Sequence, residues 1–508
     1  MSVRRRIVAR FLQQLTLIGV LFGISTWLHW PLVILVGIGF AVSGVMMLAQ
    51  AGQPTFWDIL TLRMIRQLRS DGFSIRLLPT RFIGLIYIFV GISCLTSVRY
   101  VFARSSTTAA AASINDSAAR IEPAGTSTTL EAKVLLRAQK FMAKNHNVGL
   151  AIGVLDRNTS FALSFGSTRF GTNDIPNSAT LFEIGSISKT FTATVLAKMV
   201  NSGTLKLDEP LEDALGMAVP EKDGRKITLV DLATHTSGLP RIPAAVVLSP
   251  RMIFPSFWRD PYAHFTDDDM ANWLAGYKLS RIPGEKSDYS NIGFGLLGWA
   301  LSKKAGCTYE QMIRREIGDP LGLADTFEYL SPEQRERFAH GYSSFSTTGP
   351  VRLANENGPW TMHDCFAGCG ALRSNVRDLL LYAKANMATS SSTISEAIRE
   401  THKPRFAVNA VTSVGLAWMT TMRPDLPAPV IWHNGGTGGY RSFIGFMPEK
   451  QCAVVLLTNC VNDNGDWFGF DILQLIVANR GKKQPRVSKA AAETTTTETI
   501  STGAAESP

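Results

Sequence analysis

From Phe11 to Trp57 the chain carries no Asp, Glu, Lys or Arg. A globular core rarely absorbs an uncharged run of that length, whereas a bilayer takes it at about 20 apolar residues per crossing. The run has room for two spans, about 11–30 and 31–50. The stretch "STWLHWPLV" marks the bend between them. Trp27, His29 and Trp30 suit a membrane interface, and Pro31 suits the first turn of the returning helix. A third uncharged run, 82–98, meets the short limit for a span.

Charge sets the orientation. The first 104 residues hold +9 of the net +10, because eleven arginines face only Asp58 and Asp71. Nine of those arginines lie in the N-terminus and the 58–81 loop. Both are therefore expected to stay cytoplasmic, and three crossings put everything after Arg104 outside. The expected location is a bacterial plasma membrane, multi-pass, with an extracytoplasmic domain. A cleaved signal peptide does not account for the second and third runs. The rest of the chain is nearly neutral. A nucleic-acid surface needs clustered Lys and Arg, so nucleic acid is excluded as a partner.

Composition after the spans is that of a folded domain with two loose ends. Residues 105–129 are rich in Ser, Thr and Ala without apolar periodicity, which reads as a tether. Residues 481–508 read as a disordered tail. Between them, 130–480 form one domain. It opens with a helical pattern, "LEAKVLLRAQKFMAKN", and two strand patterns, "VGLAIGVLD" and "SFALSFG". It closes with four strand patterns, "VGLAWMTT", "PVIWHNGG", "RSFIGFMP" and "CAVVLLTN", and a last helix, "WFGFDILQLIVANR". Strands at both ends with helices between predict one antiparallel sheet assembled from the two termini, with helices packed on it. Cys94 falls in the third span. Five cysteines remain, an odd number, so complete pairing is impossible. Buried free thiols are expected, with Cys365 and Cys369 the nearest candidates for a bridge. Their spacing does not make a zinc site, and no metal or organic cofactor is implied.

The chemistry starts at "LFEIGSISKTFTATVLAKMV". Ile187, Phe191, Val195, Leu196 and Met199 recur at helical spacing, and Ser202-Gly203 stop the run. Ser186 and Lys189, three apart at the mouth of that helix, share a face and can touch. A serine hydroxyl needs a neighbour to take its proton, and the free N–H groups of a helix start favour negative charge on its oxygen. In "IPGEKSDYSNIGFGLLGWAL", Tyr289 and Asn291 fall in a loop leading into a helix. A tyrosine beside a cationic lysine can carry a proton, and an asparagine can steady the lysine and donate to a substrate carbonyl. In "PVIWHNGGTGGYRSFIGF", His433, Asn434, Gly435 and Gly436 end a strand. An edge strand of this kind offers its backbone to an extended amide, and glycine permits close approach.

Taken in order, S-x-x-K, Y-x-N and H-x-G resemble the penicillin-recognising serine hydrolases: class C β-lactamases, D-Ala-D-Ala carboxypeptidases, D-aminopeptidases and related esterases. The stretches "GTLKLDEPL", "LATHTSGLP" and "AGCGALRSNVRDLLLYAKA" agree, and the resemblance covers the domain but not the spans. It implies an α/β two-region fold, an antiparallel sheet flanked by helices plus a helical region, with the site between. It implies Ser186 as the acylated nucleophile, Lys189 as its base or activator, and Tyr289 as proton relay. Asn291 becomes a substrate contact, His433 replaces the third motif's cation or hydrogen-bond donor, and the N–H groups of Ser186 and Gly436 form the oxyanion hole. His235 is assigned to loop structure. The family usually offers hydroxyls to the substrate carboxylate at the positions of Asn434 and Gly436; Thr437 and Arg441 stand nearby as compensation. The expected activity is hydrolysis of an amide or ester, with β-lactams, D-amino acid peptides and esters all open. The alternative is a receptor acylated once that signals through the membrane, and a scaffold with a dead site comes third.

Overall fold

The computed structural model describes residues 129–145, 147–247, 260–343, 355–357, 359–461 and 465–480. The three proposed spans, Cys94, residues 105–128 of the tether and the tail lie outside the described residues. Among the described residues, no helix is long and apolar enough to cross a membrane.

Helix α1 (Leu130–Asn145) leads into strand β1 (Gly149–Asp156), and Arg157-Asn158 turn the chain into β2 (Thr159–Gly166). Arg157 takes the left-handed conformation (φ 57°) that a two-residue hairpin asks for. The chain then leaves the sheet. It returns with β3 (Phe406–Ala407), β4 (Thr412–Val414), β5 (Met419–Thr421), β6 (Val430–Gly436), β7 (Arg441–Met447) and β8 (Cys452–Thr458). The eight strands run in the order β2-β1-β8-β7-β6-β5-β4-β3, antiparallel throughout. The first hairpin thus completes its sheet on the last strand, with Val154 opposite Val454.

Burial explains the patterns. Strand β8 is buried along its whole length, as is all of β1 but its last residue, because both faces of the sheet are covered. On the outer face lie α1 and the last helix, α8 (Gly465–Arg480). Phe141 and Phe468 stack between them with centroids 4.3 Å apart. The inner face packs on the helical region: α2 (Ser188–Asn201), α3 (Leu229–Ala233), α4 (Asn291–Ala305), α5 (Asp364–Gly370), α6 (Val376–Asn386) and α7 (Thr393–His402). Helix α2 is buried from Ser188 to Ala197, so its polar residues must be satisfied internally. Thr192 Oγ1 donates to Gly368 O at 2.9 Å, and Thr194 Oγ1 to Thr190 O at 2.9 Å.

Two expectations need correction. "VGLAWMTT" is not one strand: it turns over between β4 and β5, with Gly415 N donating to Trp418 O at 2.8 Å and Ala417 at φ 66°. Its apolar run is buried in that turn rather than along a strand. Strand β6 is not an edge strand by order. It pairs with β7 along Ile431–Gly436 but with β5 only over Val430–Trp432, so an open edge exists locally at His433–Gly436. Cys365 and Cys369 form no bridge. Cys307, Cys365, Cys369 and Cys452 are free thiols, as expected. Both thiols of the first pair ride on α5, where Cys365 Sγ contacts Thr266 O at 3.8 Å.

Candidate active site

The site lies where the start of α2 meets the open half of β6. The approach to α2 is a two-residue ribbon, Phe182–Glu183 against Arg373–Ser374, underpinned by a buried ion pair between Glu183 and Arg373 at 3.2 Å. Burial pushes the Glu183 carboxyl up, and the Arg373 guanidinium opposes this. Gly185 then turns the chain with φ 49°. A Cβ there would stand 2.7 Å from Gly436 N, so glycine answers both a conformational and a steric demand. At Gly435 a Cβ would collide with the Ile184 carbonyl and Ser442 Oγ. Ser442 Oγ itself donates to Ile184 O at 2.8 Å. Backbone therefore packs on backbone where Ser186 enters a short 3-10 turn, Gly185–Ile187, ahead of α2.

Lys189 is fully buried and its Nζ has three acceptors. It donates to Ser186 Oγ at 3.0 Å, to Asn291 Oδ1 at 3.0 Å and to Cys369 O at 2.6 Å. Three acceptors match the three N–H bonds of an ammonium. The Tyr289 ring completes the pocket, its centre 4.9 Å from Lys189 Nζ. Ser186, Lys189, Tyr289 and Asn291, drawn from distant parts of the chain, thus meet around one nitrogen. Asn291 starts α4. With its Oδ1 taken by Lys189, its Nδ2 donates to Tyr262 OH at 3.2 Å.

The Cys369 carbonyl was not foreseen. It reaches Lys189 because α5 crosses α4 at glycine contacts: a Cβ on Gly298 would lie 2.6 Å from Gly368 Cα. "AGCGAL" carried the signal as close-packing glycines, but only the crossing reveals the carbonyl. Burial raises the Cys369 thiol, so it is inert beside the lysine.

The third motif differs from expectation. His433 is buried, and burial together with the Lys189 charge holds its pKa down at about 3. It is neutral, which sets aside the cation and leaves the hydrogen-bond donor of the two roles expected there. Its Nδ1 lies 2.6 Å from Asn434 O. A carbonyl only accepts, so Nδ1 carries the proton and Nε2 is left as an acceptor. The Asn434 side chain turns to the outer face, where Nδ2 donates to Asp466 Oδ2 at 2.6 Å, so the cleft receives only its backbone. Arg441 donates to Tyr440 O at 3.3 Å and stands beside Gly436 on that same outer face. His235 does more than shape its loop. Its ring lies over Tyr289 with centroids 4.3 Å apart, and its Nδ1 accepts from Ser290 N at 3.1 Å. Burial, aided by the Lys189 charge, lowers its pKa well below the ordinary value, so it too is neutral.

Residues 137–478 match the family model described as Beta-lactamase. The chain belongs to the Beta-lactamase family. It is a serine hydrolase of that family's type. Among relatives in the β-lactamase family, the D-alanyl-D-alanine-carboxypeptidase/endopeptidase AmpH of Escherichia coli K12 is 30% identical over 328 residues, covering 61% of this chain and 79% of that protein. A β-lactamase of Pseudomonas fluorescens is 26% identical over 353 residues, covering 63% of this chain and 91% of its own. The crystal structure of a β-lactamase/D-alanine carboxypeptidase from Yersinia pestis superposes with a TM-score of 0.57 at 26% identity, covering 70% of this chain and 99% of that one. The sheet with helices on both faces is thus the β-lactamase-family fold.

Proposed function

We propose that this chain is a membrane-tethered hydrolase that cleaves amides or esters through an acyl-enzyme on Ser186, on the extracytoplasmic side. The observation that carries the reading is the buried Lys189 ammonium, 3.0 Å from Ser186 Oγ and held there by Asn291 and Cys369 O. In this mechanism Tyr289 enters as the phenolate: Ser186 Oγ attacks the carbonyl carbon, and its proton passes to the Tyr289 oxygen. The Lys189 ammonium stabilises the phenolate before the transfer and the charge that develops on Ser186 Oγ during it. The carbonyl oxygen turns anionic between the N–H groups of Ser186 and Gly436. Tyr289 then gives its proton to the departing nitrogen or oxygen, and the C–N or C–O bond breaks. Water repeats the sequence on the acyl-enzyme and releases the acid.

The open edge at His433–Gly436 supports an extended substrate that pairs with backbone. The similarity to carboxypeptidases and β-lactamases supports peptides ending in D-alanine, and β-lactams, as first substrates. The tether rests on sequence: the uncharged runs and arginine-rich flanks of the first 104 residues.

Replacing Ser186 with alanine is expected to abolish hydrolysis of a chromogenic ester and a chromogenic cephalosporin. Intact-mass measurement is expected to find an acyl adduct on the Ser186 peptide that forms and clears. Undiminished hydrolysis by the alanine variant overturns the reading, and an adduct that persists for hours replaces it with the receptor. Deleting residues 1–104 is expected to move the activity from the membrane pellet to the supernatant.

A further inference from the structure

Arg241 is a charged side chain at the site that the mechanism above leaves unused and that no described carboxylate engages. Its guanidinium carbon lies 5.0 Å from the centre of the Tyr289 ring, the same ring that Lys189 approaches at 4.9 Å. Unlike Lys189, Arg241 is exposed. Its backbone is fixed to the catalytic segment. Arg241 O accepts from Asn291 N at 2.9 Å, and the preceding Pro240 O accepts from Ser290 Oγ at 2.7 Å. The cation is therefore anchored at the start of α4, and it is not a free surface arginine. Its charge reaches His235, Tyr262 and Cys369, which surround Lys189.

Among the described residues, no carboxylate pairs with it. Asp288, the neighbour of Tyr289, is engaged by Arg281 and by Lys286 at 3.0 Å. Glu183 is spent on Arg373. Among the described residues, Arg241 makes no ion pair, and both histidines at the site are neutral. The cleft thus presents a buried ammonium at the reacting oxygen and a second, solvent-facing cation beside it. An exposed guanidinium with five donors and no ion-pair partner among the described residues is suited to a carboxylate.

We propose that Arg241 is a specificity-determining residue that selects substrates carrying a carboxylate beside the scissile bond, on the Tyr289 side of the cleft. The proposal rests on the hydrolase reading and deepens it, since it names the charge of the substrate. The carboxylate can sit in the acyl part or in the leaving group, and the two sources are separable.

Two matched pairs of esters test it. Hexanoate and adipate mono-esters of p-nitrophenol differ by a carboxylate in the acyl chain. Phenyl and 3-carboxyphenyl esters of phenylacetylglycine differ by one in the leaving group. The readout is the ratio of kcat/KM for the charged member over the neutral one. Arg241→Ala is expected to lower that ratio about tenfold in one pair, Arg241→Glu to lower it further, and Arg241→Lys to retain part of it. The pair that responds says where the carboxylate sits. In the wild-type enzyme the ratio is expected to shrink as salt rises. Ratios unchanged in both pairs overturn the proposal, as does a uniform fall accompanied by a shifted pH–rate profile for the neutral esters. That second result would make Arg241 a partner of Tyr289 alone. Ser186→Ala is the separate control: activity surviving it defeats the hydrolase reading whatever Arg241 does.

Discussion

The two walls of the cleft are built from different materials. The helical wall presents side chains: Ser186, Lys189, Tyr289, Asn291 and Arg241. The sheet wall presents backbone, with Gly435 against the Ile184 carbonyl and Gly436 N against the Gly185 turn. The first wall moves protons and charge. The second fixes position, and it works by the absence of Cβ atoms. Chemistry on the helical wall should therefore be lost by changing a functional group, and on the sheet wall by adding a methyl.

The largest effect belongs to the helical wall. Ser186→Ala and Lys189→Ala are each expected to lower kcat by about 10⁴-fold or more in ester hydrolysis, without additivity in the double variant, because the two act as a unit. Tyr289→Phe keeps the ring over Lys189 and removes only the hydroxyl. Its expected cost is about 10³-fold in kcat, read in the same assay. A methyl on the sheet wall comes next. Gly435→Ala faces the Ile184 carbonyl and should push β6 off the Gly185 turn, costing about 10²-fold in kcat with KM less affected. The neighbouring Gly436→Ala points to the outer face, where a Cβ meets only the end of the Arg441 side chain at 2.5 Å. Its expected effect is about twofold. Equal losses at these adjacent glycines would break the distinction between the two faces of β6.

The smallest expected effect is on stability. Burial holds His402 and His433 at pKa values of about 3, against an ordinary 6.5. Between pH 6.5 and 3 the unfolded chain binds protons that the folded protein refuses. Stability therefore falls as the pH drops through that window, and these two groups contribute no slope above it. Urea midpoints followed from pH 7 downward should show the decline. His402 lies away from the cleft, with Nε2 2.8 Å from Asn386 Oδ1. His402→Gln should flatten the slope by about one proton while leaving the pH–rate profile in place.

What the sequence disclosed follows the same division. Ser186 and Lys189 were legible because helical spacing alone puts residues three apart on one face. Tyr289 and Asn291 were legible from their motif, and the joining of the two termini in one antiparallel sheet from apolar runs such as "CAVVLLTN". The Cys369 carbonyl was hidden, since a backbone acceptor has no signature until α4 and α5 cross. Arg241 was hidden because its proximity to Tyr289 depends on a loop folding back on the start of α4. The charge of His433 was left open by the sequence for a related reason. Its protonation is set by burial, and burial is a property of the packed molecule. "VGLAWMTT" misled because a buried turn and a buried strand are equally apolar in sequence.

The pairing of β1 with β8 carries a consequence for biogenesis. A ribosome delivers Gly149 some 300 residues before Cys452, going by the positions of the two strands. Through most of synthesis the first hairpin has no permanent neighbour on β1, and its unsatisfied rim is open to pairing with the wrong chain. Chains truncated before β8 should accumulate as aggregates or be degraded, even with every group that touches Lys189 already made.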